Sequence, residues 1–358
     1  MRRMLVVLAA LASLLVVPLP SAAADCFGWS GQLPLRDAVS ANACVQVAPG
    51  VWDVDDFVVV PAGHTVRGTP GGDRSATVLR AVQPWENTVA EGILNDDGSN
   101  GAPFVVADLT LESGGLATSA LCCRGFTARN VVLQGARCYG LGIAGVRVDV
   151  TDSLIRHNGA WSGCPSPPGA GVYVVSTVAG PSNWAPRIAN TTIRDNTGPG
   201  LDIASVWGGQ LIGNTIVANT NWAGISLFGS HWLIEGNTVR HPATNQGQPY
   251  QRPCASGPSG ERSAAIMLCQ LHDTDNDVTT DNVVRGNAVS SWYGILLVGN
   301  DETRPYWAPR TNTVENNDVT GSVHGCADDF RPGQWFSDQN TWTGNNCSGS
   351  PNSGPSYF

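Results

Sequence analysis

Along most of the chain, apolar residues fall in short runs that alternate with polar ones and stop at Gly or Asn. Alternation of period two with no 3.6-residue period predicts short β-strands rather than helices. Two of these runs are nearly the same: SLIRHN at 153–158 and TTIRDN at 191–196, echoed by IVAN at 216–219 and VRHP at 239–242. Aligning Ile155, Ile193, Ile216 and Val239 gives steps of 38, 23 and 23 residues. Arg156, Arg194, Val217 and Arg240 then share a column, as do His157, Asp195, Ala218 and His241, followed by Asn158, Asn196, Asn219 and Pro242.

A second column, of form Gly-apolar-x-apolar, follows after a turn: GLGI at 140, GVYV at 171, GLDI at 200, GISL at 224 and GILL at 294. Asn130-Val-Val, Asn237-Thr-Val, Asn287-Ala-Val and Asn317-Asp-Val extend the pattern. A strand repeat of 20 to 25 residues means a coil of strands. The L-x-x-L-x-L frame of a leucine-rich repeat is missing, and β-branched residues and Asn dominate, so the reading is an all-β parallel β-helix with about three short strands per coil. Recurrent Asn at one turn position predicts stacked amides bonding from coil to coil, with Asn196 and Asn219 one coil apart. The segment LPLRDAVSANA at 33–43 is expected to form a short helix capping the first coil.

Residues 45–79, VQVAPGVWDVDDFVVVPAGHTVRGTPGGDRSATVL, place a Pro-Gly-aromatic turn, a strand, a Gly turn and another strand in succession. This resembles the first coils of the pectate-lyase-like superfamily of right-handed parallel β-helices, over roughly residues 33–347. The resemblance implies a right-handed solenoid forming a single domain from residue 25 to 358. It also implies tests of activity. Pectin hydrolases of this fold are expected to carry Asn-Thr-Asp, Asp-Asp, Gly-His-Gly and Arg-Ile-Lys motifs, of which this chain has Asp328-Asp329 alone. Lyases of this fold use a lysine or an arginine as base, commonly with calcium, and the chain contains no lysine, so only the arginine version applies.

Composition narrows the setting. Arg2 and Arg3, the apolar run Met4–Leu19 and Ala22-Ala23-Ala24 read as a signal peptide over residues 1–24, so a secreted, extracellular protein is expected. No run is long enough for a membrane span. Without residues 1–24 the chain has 18 Arg against 29 Asp and Glu, 18 − 29 = −11, which excludes a nucleic-acid partner. A monomer is expected. Ten cysteines in an oxidising compartment read as disulfides. Proximity suggests Cys26–Cys44, Cys138–Cys164, Cys254–Cys269 and Cys326–Cys347, leaving Cys122 and Cys123 as a vicinal pair or as two thiols on opposite faces of a strand.

Candidate chemistry follows from the strand geometry. If the apolar positions of Gly-apolar-x-apolar face the core, the x residues Gly142, Tyr173, Asp202, Ser226 and Leu296 face solvent. Tyr173, Asp202 and Ser226 then lie on three successive coils, with Arg156 and Arg194 pointing outward just before the turns into the first two. The functional reading is a groove in which Arg156 and Arg194 hold the carboxylates of an acidic polysaccharide, Asp202 or Tyr173 assists proton transfer, and Ser226 contacts substrate. The competing reading is a solvated face with Arg–Asp pairs between coils.

NWAPR at 183–187 and YWAPR at 306–310 put Trp184 and Trp307 each 13 residues after the Gly of its strand. They are candidates for stacking on sugars or for clamping their own turns. In DTDNDVTTD, Asp273, Asp275, Asp277 and Asp281 offer hard oxygen ligands for Ca2+, but Val278 and Val284 replace the Gly and Glu an EF-hand needs, so a looser loop site or a plain acidic loop remains. The functional expectation is arginine-assisted proton abstraction from an extracellular polysaccharide. A non-catalytic secreted scaffold binding glycan or a cell surface is the alternative.

Overall fold

The computed structural model describes residues 26–84, 92–99, 101–159, 164, 169–175, 186–220, 223–242, 263–270, 279–299, 309–328, 340–347 and 356–357. The segments 1–25, 176–185, 243–262, 271–278, 300–308 and 329–339 lie outside them, and with them the expected signal peptide, Trp184, Trp307, Asp273, Asp275 and Asp277. Within the described residues the chain is a solenoid of parallel strands with one helix. No helix there is long and apolar enough to cross a membrane.

Each coil has three faces. One coil runs through the strand Leu201–Ile212, which bends so that Leu201–Ala204 lies on a first face and Gln210–Ile212 on a second, and then through Thr215–Val217 on a third. The next repeats the path with Ala223–Glu235 and Thr238–Arg240. Strands of the third face form a nine-stranded parallel sheet of their own. Such a sheet needs crossover connections, which here are the other two faces of the same coil.

The core is a set of stacked columns. On the third face Ile155, Ile193, Ile216, Val239 and Val289 are register partners from coil to coil, and all are buried. On the second, Val150, Ile188, Leu211, Ile234, Val284 and Val314 do the same. The two repeat columns of the sequence are one packing unit. A Cβ added at Gly171 would meet Ile193 Cγ2 at 2.6 Å and Asn196 Nδ2 at 2.7 Å, and one at Gly200 would meet Ile216 Cγ2 at 2.5 Å and Asn219 Nδ2 at 3.0 Å. The Ile and Asn of one turn occupy the space that only glycine leaves open at the next strand.

Asparagines stack in three ladders. Asn158, Asn196 and Asn219 form one, with Asn158 Nδ2 donating to Asn196 Oδ1 at 2.9 Å and Asn196 Nδ2 to Asn219 Oδ1 at 2.8 Å. Asn214, Asn237, Asn287, Asn317 and Asn345 form a second at 2.9–3.0 Å per step. Asn282, Asn312 and Asn340 form a third. Each amide oxygen also accepts the backbone N–H of the rung before it, so a buried turn that would strand polar groups is fully paired. Asn130 stands outside this scheme. It lies one position ahead of the ladder column, in a left-handed turn (φ 50°), and donates to Asp108 Oδ1 at 2.8 Å.

The expected cap is the helix Leu35–Ala41, whose Leu35, Ala38 and Val39 are buried, as i, i+3, i+4 spacing requires. It packs on the strand Val58–Val60 and covers the first coil. The pairs Cys26–Cys44, Cys138–Cys164 and Cys326–Cys347 are disulfides, and Cys122–Cys123 is the vicinal pair. Cys269 is also disulfide-bonded, while Cys254, its expected partner, lies outside the described residues.

Candidate functional site

The first face carries the column Gly142, Tyr173, Asp202, Ser226, Met267, Leu296 and Ala327, each the register partner of the next. Tyr173, Asp202 and Ser226 are therefore brought together on three successive coils. Their expected exposure is not found: Asp202, Ser226 and Leu296 are 0% exposed, Gly142 is buried and Tyr173 is half-buried. The reason is a second apolar layer on the outer side of this face, made of Ala223, Phe228, Ala264, Met267, Cys269, Leu296, Val298 and Ala327. A third cluster, Cys138, Tyr139 and Ala170, packs against Cys164 and Tyr173. Parallel strands covered on both sides lose the simple rule that alternate residues meet water.

Tyr173 stacks on Tyr139 with ring centroids 4.6 Å apart and an interplanar angle of 16°. The Ser226 Oγ is buried with no hydrogen-bond partner among the described residues. This line is thus an apolar-walled strip in which a phenol, a carboxyl and a hydroxyl follow one another.

Arg156 and Arg194 are register partners on the third face, at the ends of Leu154–Arg156 and Thr192–Arg194. Arg156 Nε donates to Gln134 Oε1 at 3.0 Å, a neutral acceptor, and has no ion pair among the described residues. Arg194 pairs with the neighbouring Asp195 at 2.7 Å. Arg240 lies in the same column beyond Val217 and is exposed. Arg74 approaches from the side, donating to the Asp152 carbonyl at 2.8 Å. Burial lowers the pKa of Arg74 and the Arg156 charge pushes the same way, while Asp73 and Asp152 oppose. The third face therefore carries a basic patch on an acidic protein. It adjoins the first face through the turn that runs from Arg194 to Leu201, but it is a separate face from the Tyr173–Asp202–Ser226 line.

Asp281 is exposed in a left-handed turn (φ 57°), with its Oδ2 3.9 Å from His231 Nε2. Among the described residues no group of three His, Cys, Asp or Glu side chains is arranged to hold a metal. Two features escaped the sequence reading. His231 stacks on Trp207. Asp328 is buried and accepts from the Trp342 indole at 2.9 Å and from Asn340 Nδ2 at 3.2 Å, so it ends the third ladder. The recurring Asn-x-apolar at 340 was the available signal for that role.

The profile of the family described as "Right handed beta helix region" matches residues 139–347, more than half of the chain. The chain belongs to this family. No curated protein sequence matches it. Among solved structures of this right-handed β-helix protein's fold, ORF18 of Geobacillus virus E2 is 10% identical, with a TM-score of 0.54 over 84% of this chain and 52% of that one. The catalytic domain of a GH87 α-1,3-glucanase in complex with nigerose is 12% identical, with a TM-score of 0.51 over 89% and 64%. The chain thus spans about half of the viral protein and under two thirds of the glucanase chain. The Azotobacter vinelandii mannuronan C-5 epimerase AlgE4 A-module is 14% identical, with a TM-score of 0.48 over 86% and 94%. At these identities the likeness establishes the fold.

Proposed function

We propose that this is an exported carbohydrate-active protein that takes an acidic polysaccharide and abstracts a proton beside a uronate carboxylate. The observation that carries the reading is the pair of arginines on adjoining coils, one of them held by a neutral glutamine, on a chain of net charge −9. Arg194 is paired with Asp195, while Arg156 has no ion pair among the described residues, and an anionic chain lying along the column supplies Arg156 with one. Arg is also the side chain that grips carboxylates in a planar, two-pronged geometry.

In the proposed step Asp202 or Tyr173 takes the proton from the carbon next to the uronate carboxylate. The electron pair of that C–H bond becomes a carbon–carbon double bond as the neighbouring C–O bond breaks, and the departing oxygen is protonated. Arg156 and Arg194, on the adjoining face, hold carboxylates of other sugar units of the same polymer and so position it for abstraction. That a glucanase domain of like fold holds nigerose is in keeping with a sugar ligand.

One observation favours the second reading, a non-catalytic glycan-binding scaffold: Asp202 is fully buried, whereas the arginines are not. Under either reading Arg194→Ala weakens binding of a uronate polysaccharide at least tenfold, with folding intact, and Arg240→Ala weakens it less. Affinity electrophoresis of the two variants in gels containing polygalacturonate checks this; equal and negligible shifts would overturn the arginine assignment.

A further inference from the structure

Where the strand Leu201–Ile212 turns from the first face to the second, its pairing with Ala223–Glu235 slips between Ala204 and Val206. Bulges of this kind re-aim side chains and gather near sites. Two glycines follow, and a Cβ on the second, Gly209, would overlap the ring of Trp232, which is buried one coil on. The inner position of this corner is filled by Trp232. The bulge and the Gly-Gly bend turn the other indole, Trp207, outward, where it is 42% exposed.

Trp207 is backed by chemistry. The His231 imidazole stacks on it at 4.0 Å and 22°, and the Asp281 carboxylate lies 3.9 Å from His231 Nε2 on the coil after that. An exposed aromatic plane, an imidazole and a carboxylate thus follow one another on three coils, all open to solvent. Burying Trp207 in the core would be the favourable default for so large an apolar side chain. Sites for small polar molecules combine such an aromatic surface with a few convergent polar groups.

We infer that Trp207, His231 and Asp281 form a saccharide-binding subsite, with the indole packing on the C–H face of a sugar ring and His231 and Asp281 taking its hydroxyls. An aromatic side chain with a polar edge suits a ligand that is apolar on one face and wet at its rim. The Asp281 charge disfavours a carboxylate or phosphate directly against it, so the ring seated here is uncharged, and a nucleic-acid base is excluded by the phosphates it brings. The inference rests on the carbohydrate reading for its ligand class, but on different residues. Trp207 is five residues beyond Asp202 on the same strand, at most about 17 Å along it, within the span of one oligosaccharide.

The test is isothermal titration of the full chain with cello-oligosaccharides and with partly methyl-esterified oligogalacturonates, which carry uncharged rings beside charged ones, of increasing length. Trp207→Ala is expected to weaken binding of the longer oligomers at least tenfold, Trp207→Tyr to retain part of it, and Asp281→Asn to give a smaller loss, all with an unchanged unfolding midpoint. Unchanged affinity in Trp207→Ala overturns the subsite, as does the absence of binding of any of these oligosaccharides to the parent protein. If Trp207→Ala is silent while Arg194→Ala weakens binding, the subsite fails and the arginine assignment stands; the reverse pattern removes the arginine line and keeps the subsite.

Discussion

Asn219→Leu is expected to destabilise the protein by about 3 kcal/mol or more, since each unsatisfied buried polar group costs roughly 1–3 kcal/mol. Three groups lose their partner at once. Asn219 Oδ1 accepts from the Asn196 backbone N–H at 3.1 Å and from its side-chain amide at 2.8 Å, and Asn219 Nδ2 donates to the Ile193 carbonyl at 2.9 Å. All lie in a buried turn, so water cannot replace the lost partners. Leucine keeps the branched shape of asparagine but is bulkier, and in this close-packed corner the extra volume adds to the loss. Urea unfolding followed by circular dichroism measures it, with Asn130→Ala as a comparison, because Asn130 bonds outside the ladder and its loss leaves fewer groups unpaired. A loss of under about 0.5 kcal/mol would mean that the ladder is relaxed in solution and not a determinant of stability.

Asp202→Asn is expected to reduce turnover of a uronate polysaccharide by at least a hundredfold, about 2.7 kcal/mol of transition-state stabilisation. The amide keeps the shape of the carboxyl but cannot take a proton. Folding is expected to be retained, and turnover is compared per folded molecule. That pairing of outcomes separates a proton-transfer role from a structural one. If Asp202 only supports the coil, Asp202→Asn changes stability and leaves turnover per folded molecule within about twofold.

The coil was legible because its columns are dictated by contact. Gly171 and Gly200 cannot be anything larger while Ile193, Ile216 and their asparagines fill the corner, so the Gly column and the Ile–Asn column recur together and set the register. The position of Tyr173, Asp202 and Ser226 on one line was legible for the same reason. Their burial was not, because alternation tells which side of a strand a residue is on and nothing of what covers that side. Met267 was missed from the line because Ala265 stands where the other coils have Gly. The Trp207–His231 stack could not be read either. The slip between Ala204 and Val206 breaks the alternation just ahead of it, and its two members are 24 residues apart with no shared motif.

The position of Asn130 shows a finer limit. Asn occurs both at the ladder position and at the left-handed residue before it, since it tolerates φ > 0 better than most residues. One letter therefore stands for two roles, and only the flanking register separates them. The arginines illustrate the converse: Arg156 and Arg194 were placed correctly as coil neighbours, but the acceptors Gln134 and Asp195 were visible only in three dimensions.

The most direct measurement of the central claim is ultraviolet detection of unsaturated uronate ends when the protein is incubated with polygalacturonate, alginate and neutral glucans. Unsaturated ends are expected from a uronate polymer, none from the glucans, and none from either with Asp202→Asn. Retained binding of uronate polymers with no unsaturated product from any of them would contradict the proton-abstraction reading and leave a glycan-binding solenoid.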